Sequence, residues 1–326
     1  MRIKIYSALL TCSLFFVSFG IVAADHPLVE LKKTYTKSYS INGNERVSFA
    51  NKFGSLKINT WDKNEIKVEV VISVSDGNDA RAHKTIDGIS IEDGKSNAGV
   101  YFKTVIANGA SASTTVVNLS NVMSKGTVMT ITSSGKQVVH GMSIDFVVYM
   151  PDSNPLYIDM QFGSTVIPDY KGAVEIYQSY GELTTGKLSD IKYISSLFGT
   201  ATINGINNGK LKFEYGNAEV NSISGAVEVE SGFGQLRLGV EKNIRDLIVN
   251  NKYGELSLQL ADNIDARFNI RTNYSTLINN MSGIRFFREG RNNDFIDFRR
   301  TYKANSYSGN SSINIISDFG NVKVGR

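Results

Sequence analysis

The residue types that could do chemistry are thinly spread. The three histidines, His26, His83 and His140, are far apart in the chain, and none has the spacing by which neighbouring imidazoles share a zinc ion. Each reads as a solvated surface residue. The one cysteine, Cys12, lies inside an apolar N-terminal run, so loss of that run removes thiolate chemistry and cysteine-ligated metals. Asp76-Gly77-Asn78-Asp79 opens like a calcium loop, but the later ligands and the bidentate Glu are missing, and a turn is the better reading. There is no phosphate-binding glycine loop and no serine nucleophile elbow. Sugar cleavage needs two carboxylates in distinct environments. Glu182, Glu219, Glu228, Glu230 and Glu255 face outward by parity, interspersed with Lys210, Lys212, Arg237 and Lys252, as on a solvated mixed-charge surface. The expectation is a non-enzymatic protein with no catalytic residue, no metal and no cofactor.

One stretch stands out as a candidate for binding. Arg285, Arg288, Arg291, Arg299, Arg300 and Lys303 are set against Glu289, Asp294 and Asp297, with Phe286, Phe287, Phe295, Phe298 and Tyr302 interleaved. Such a patch could hold an acidic glycan, a lipid headgroup or a partner protein. The competing reading is a decorated loop or edge strand whose aromatics cover the last repeats while its charges face water. Over the whole chain the net charge is only +4, two units of which come from Arg2 and Lys4. That near-neutrality gives no reason to expect a nucleic-acid partner; a glycan, the matrix or an envelope protein is the expected one.

The elements that would position these residues follow from an internal repeat. After residue 25 the chain holds eight aromatic-Gly dipeptides, at Phe53, Phe162, Tyr180, Phe198, Tyr215, Phe233, Tyr253 and Phe319. From Phe162 the intervals are 18, 18, 17, 18 and 20 residues, and Tyr274-Ser275 follows 21 later. Fixed periods of this length mark stacked supersecondary units. Before each dipeptide apolar residues alternate, as in Val227, Val229, Ser231, Phe233; after it they resume with a slip of one, as in Leu236, Leu238. Alternation indicates strands with one buried face, and Gly permits a bend at the slip. By this parity the aromatic closes one strand facing the core. Two short strands and two corners in about 18 residues make one coil of a β-solenoid. Asn204-Gly205-Ile206-Asn207-Asn208-Gly209 supplies corner chemistry, and no Pro follows Pro168 to interrupt a ladder. An antiparallel meander of hairpins would give the same alternation.

The remaining segments divide the chain. Met1-Arg2-Ile3-Lys4, the apolar run from Ile5 to Val22, and Ala23-Ala24 describe a secretory signal peptide over 1–24. Its rival is a transmembrane anchor, which would lack the small-residue exit; Leu9-Leu10-Thr11 before Cys12 is a poor lipoprotein box. A tail is expected over 25–35 and an antiparallel β cap over 36–150, with Trp61-Asp62-Lys63-Asn64 as a turn, a short helix from Asp79 to Ile86, and a flexible loop from Asn108 to Thr115. Solenoid repeats occupy 151–283, the basic-aromatic insertion 284–304, and closing strands 305–326. The composition, with 29 Gly, 4 Pro and one Cys, excludes a collagen-like chain and a disulfide scaffold. No later run is long enough to cross a membrane as a helix.

The run Asn51-Lys52-Phe53-Gly54-Ser55-Leu56-Lys57-Ile58-Asn59-Thr60-Trp61-Asp62, and Val147-Val148-Tyr149-Met150-Pro151 leading to Phe162-Gly163 and the later aromatic-Gly repeats, resemble a family of exported bacterial proteins known as putative adhesins. The resemblance spans 36–324. It implies an all-β, solenoid-like fold and a periplasmic, outer-membrane or extracellular location. It implies no catalytic or binding residue, and the stretch 285–303 departs from the family's regular repeat.

Overall fold

The computed structural model describes residues 28–107, 127–131, 137–289 and 298–326, with side chains left aside at 127–131 and 137–140. The signal segment with Cys12, His26, the expected loop at Asn108–Thr115, Arg291, and the side chain of His140 lie outside the described residues. The chain is all-β, with one short helix among the described residues.

The period-two pattern forms strands as expected. Beginning at Leu156–Ile167 (β8), each stretch lies parallel to the one a repeat later: β8 on Tyr170–Glu214 (β9), β9 on Asn217–Gly232 (β10), and β10 on Gln235–Lys252 (β11). β9 is a 45-residue run of ladder-paired backbone, extended except at Tyr180, Phe198, Asn208 and Gly209, where φ is positive. It nevertheless returns upon itself, since Tyr180 and Phe198 within it stack at 4.8 Å. The inward set, among it Leu211, Val220, Val229, Leu238 and Val249, is almost wholly buried, and the alternate residues face water.

The corner geometry differs from the sequence expectation in two ways. The residue that turns the chain is the aromatic, not the glycine. Phe53, Phe162, Tyr180, Phe198, Tyr215, Phe233, Tyr253, Tyr274 and Phe319 all have φ between 51° and 72°, a left-handed conformation that costs a residue with a Cβ about 1–2 kcal/mol. This turn throws the ring outward, so the aromatics, except half-buried Phe53, do not pack into the core. Tyr253 is 51% exposed and Phe198 38%. The glycine is required for a different reason. A Cβ on Gly199 would lie 1.8 Å from the carbonyl oxygen of Gly181, and on Gly181 it would lie 1.7 Å from that of Gly163. The relation repeats through Gly216, Gly234, Gly254 and Gly320, so successive corners touch backbone to backbone. In the last repeat Ser275 takes the glycine's place, its Oγ accepting from the Gly320 N–H at 2.9 Å.

Chain order and spatial order part company at both ends. Val47–Thr60 (β2) pairs in parallel with β8, Val47 against Leu156 and Gly54 against Gly163. It is therefore the first corner-bearing layer, separated from the second by about a hundred residues of intervening chain. On its far side it pairs in parallel with Gly99–Ile106 (β5) and Gln137–Met150 (β7). Antiparallel pairs surround it: Val29–Ser40 (β1) on Glu65–Asp76 (β3), β3 on β7, Ile89–Ser96 (β4) on β5, and Thr127–Ile131 (β6) on β7. β1 reaches into 25–35, where a tail was expected, because Leu31 and Tyr35 alternate as half-buried residues packed on the core. The helix Asp79–Asp87 (α1) is capped by Asn78, whose Oδ1 accepts from the Arg81 N–H. Arg81 in turn clamps the buried Asp76 through two short hydrogen bonds, which makes Asp76–Asp79 a cap and a clamp.

At the C-terminal end the expected closing strands do not close the stack. Ser311–Asp318 (β17) slots between β11 and Ala266–Asn273 (β13), parallel to both. Val322–Gly325 (β18) does the same between Glu255–Leu260 (β12) and Leu277–Asn279 (β14). The outermost layer comes from the basic-aromatic stretch: Arg299–Asn305 (β16) lies antiparallel on β13, and Phe287–Glu289 (β15) on β16. Among the described residues no helix is long and apolar enough to cross a membrane.

Gly199→Ala is expected to destabilise the protein by more than about 3 kcal/mol in urea unfolding, because backbone on both sides must shift. Gly43→Ala, where a Cβ meets nothing within 4 Å, is expected to stay within about 0.5 kcal/mol. Equal losses at the two positions would contradict the corner account.

Candidate functional site

Three surface features could carry function, and each is assembled by the stack. The first is the predicted basic patch. Strand parity splits it. On β16, Arg299 and Lys303 point to the outer face, where Lys303 pairs with Glu289 at 2.8 Å. Arg300 and Tyr302 take the opposite parity, Tyr302 opposite Ile270 and half-buried against the core, and Arg288 lies opposite Tyr302. Arg285 is exposed in the segment before β15, and Arg291 lies outside the described residues. Five of the six cations are thus near one end of the sheet but not on one face. The aromatics divide likewise: Phe286 packs edge-on against Phe268, whereas Phe287 is exposed and Phe298 stacks on Tyr274 at 4.4 Å.

The second feature was placed indoors by sequence parity. The left-handed corner residues form a ladder running Phe53, Phe162, Tyr180, Phe198, Tyr215, Phe233, Tyr253, Phe319 and Tyr274, external except at half-buried Phe53, and Phe298 stacks on its Tyr274 end. Neighbouring centroids lie 4.4–5.3 Å apart, most with near-parallel rings. Each face is covered by the next ring, so what reaches solvent is ring edge. A ladder of this kind cannot stack a sugar or a base on its faces along its length. Its energetic role is to offset the strain of the left-handed corner, each contact contributing about 0.5–1.5 kcal/mol.

The third feature is a shallow polar groove of about 310 Å3 on the strands that follow the corners. Its floor is backbone at Ala201, Ala218 and Leu236. Two rows of side chains flank it, two and four residues after the aromatics. Thr200, Asn217, Gln235 and Glu255 form one, and Thr202, Glu219, Arg237, Ser257 and Lys323 the other. The acids in these rows each pair with a cation. Glu219 is bound to Arg237 at 3.2 Å and Glu255 to Lys323. On the neighbouring face Lys210 bridges Glu228 and Glu230 at 3.0 and 2.9 Å, and its ammonium pKa is raised by those two carboxylates, Glu230 first. Among the described residues no three His, Cys, Asp or Glu side chains are placed to hold a metal ion, and His83 sits exposed on α1 beside Asp79.

Sequence reading missed one further cluster. Asp93 on β4 accepts from the hydroxyl of Tyr35 at 2.5 Å and from that of Tyr39, with Lys37 at 3.9 Å. Burial works to raise the Asp93 pKa, but the two phenols and Lys37 outweigh it and the net shift is downward. Tyr39 is pushed up to about 12, first by its bond to Asp93 and then by burial. Tyr35 is raised chiefly by burial. The alternation of Tyr35, Lys37 and Tyr39 was visible in the sequence; that Asp93 faces them was not, because β1 meets β4 only through the tertiary fold.

No protein-family profile matches the chain, and no curated protein matches it. Two solved structures are similar in outline. One is a putative adhesin from Bacteroides fragilis, 10% identical, covering 90% of this chain and 97% of its own, with a TM-score of 0.43. The other is a putative cell adhesion protein from Clostridium sporogenes, 13% identical, covering 90% of this chain and 99% of its own, with a TM-score of 0.24.

Two expectations follow. Phe198→Ala is expected to destabilise by about 1–3 kcal/mol, since two stacking contacts go while the left-handed strain stays. Phe198→Gly should be more stable than Phe198→Ala by about 1 kcal/mol, because glycine adopts that φ freely; the reverse order in thermal unfolding would show that the corner is unstrained. For Asp93, a depressed folded pKa means stabilisation that is present above the unfolded carboxylate value, about 3.9, and is lost as pH falls through the folded value. The gap in urea stability between wild type and Asp93→Asn should be full at pH 7 and shrink below about pH 4. A gap independent of pH would remove the carboxylate from the account.

Proposed function

We propose that this chain is an exported β-solenoid with an antiparallel β cap at its N-terminal end, and that it is a non-enzymatic, adhesin-like module that binds or scaffolds at the cell envelope or surface. The observation that carries this reading is the in-register parallel stack from β2 to β13, which repeats each outward position once per layer. A surface of this kind offers equivalent outward positions, filled by different polar groups, at one spacing, which suits multivalent contact with a repetitive partner. Glu219, Glu228, Glu230 and Glu255 on the outer faces are paired with neighbouring cations, which favours contact over bond cleavage.

The test uses the chain from residue 25 onward on arrays of immobilised glycans and extracellular-matrix proteins. Retention of at least one class is expected, without change in the mass of the bound glycan. Arg299→Glu with Arg300→Glu measures the share of the basic end: full retention by this variant assigns binding to the stack's faces, and loss assigns it to β16. Depolymerisation of an arrayed glycan by the purified protein, or no retention on any surface, would overturn the reading.

A further inference from the structure

We infer that the groove beside the aromatic corners is a binding site for a linear, uncharged glycan lying along the stacking axis; this rests on the binding role proposed above and names the ligand class and site.

The argument begins with what the groove cannot take. The strands that form its floor already spend their backbone N–H and C=O groups on the parallel layers above and below. A peptide therefore finds no free edge there on which to add a strand. Its lining side chains are polar or charged apart from floor residues such as Ala201, Ala218 and Leu236, so it offers no pocket to an apolar anchor. The charged residues cancel: Glu219 against Arg237 and Glu255 against Lys323. A polyanion gains nothing net from such a lining, and neither does a polycation.

What remains is a chain of hydroxyls. Among the described residues the side chains of Thr200, Thr202, Gln235 and Ser257 find no hydrogen-bond partner, although all four line the groove and none is buried. They offer hydroxyl and amide groups that both donate and accept, Thr200 and Gln235 two layers apart in one row and Thr202 and Ser257 three layers apart in the other. With Asn217, Glu219, Arg237, Glu255 and Lys323 on the same rows, every layer presents a polar group at the rung interval of about 4.8 Å. That interval is close to the advance of one sugar in an extended glycan, so successive sugars can meet equivalent positions on successive layers. The two ion pairs supply charge-assisted donors and acceptors without net charge. The exposed edges of Phe198, Tyr215, Phe233, Tyr253 and Phe319, two residues upstream of the first row on the same layers, add an apolar margin.

The layers involved, those of Phe198, Tyr215, Phe233, Tyr253 and Phe319, set the expected length dependence. Titration of the chain from residue 25 onward with cello-, xylo-, manno- and laminari-oligosaccharides of one to six sugars, by calorimetry, should show affinity for at least one series rising steeply up to four or five sugars and then levelling. Polygalacturonate and heparin should bind at least tenfold more weakly per chain. Thr202→Trp with Ser257→Trp fills the groove from its outer row; it should keep the wild-type melting temperature and lose at least tenfold in affinity. Thr202→Ser with Ser257→Thr keeps the hydroxyls and should bind like wild type, which separates blocked access from disturbed folding. Neutral oligosaccharide binding that survives in the tryptophan variant, or a preference for the polyanions, would overturn the groove assignment while the binding role stands. A wild-type protein that retains matrix proteins but no neutral glycan overturns it equally. Failure of the wild type on every arrayed surface overturns the broader reading.

Discussion

At the aromatic-Gly corners from Gly163 to Gly320 the carbonyl oxygen of one glycine lies where a Cβ on the next would have to be, 1.7–2.2 Å away. This backbone contact sets the geometry of everything outside it. Because successive corners touch, layers stay in register between residues far apart in the chain, as Gly54 does with Gly163 and Gly254 with Gly320. Because the corner is so tight, the preceding residue must adopt a left-handed φ, and this throws its ring outward. Ring stacking then offsets the strain that the contact created, so the glycine row and the aromatic row are two halves of one device.

The same constraint shapes the outer surface. An aromatic pointing inward would have filled the core and left the strands after the corner in another register. Pointing outward, it fixes the next two outward positions on every layer, and those positions become the two rows of the groove. The groove is shallow because its rows include Thr, Asn and Ser, and neutral because its acids and cations fall on adjacent layers, where strand pairing brings Glu219 opposite Arg237 and sets Lys323 within reach of Glu255. The basic end has no such order. Parity there sends Arg299 and Lys303 one way and Arg300 the other, so the densest run of charge in the chain is not its most coherent surface.

Much of this was written in the chain as period and parity. The strands and the buried sets such as Val227, Val229, Leu236 and Leu238 follow from alternation, and the short helix expected from Asp79 to Ile86 forms over Asp79–Asp87. The slip of one residue at each aromatic-Gly pair was equally visible, but its meaning was not. Two conformations satisfy it, a bend at the glycine with the ring inside or a left-handed aromatic with the ring outside, and alternation cannot tell them apart. The contact that decides between them is made by another layer. The groove was illegible for a related reason: Thr200, Gln235 and Ser257 look like ordinary solvent-facing residues until their layers lie side by side.

By itself, then, the sequence determined an all-β chain of about 18-residue units with one buried face, because side-chain alternation is a local property of each strand. Only the tertiary structure decided which layers touch. β2 joins β8 across about a hundred residues, and β17 enters between β11 and β13 although it follows both in the chain. Such pairings are selected by the fit of whole layers and by backbone contact between distant glycines. No local pattern encodes them, since each layer presents nearly the same edge to every other.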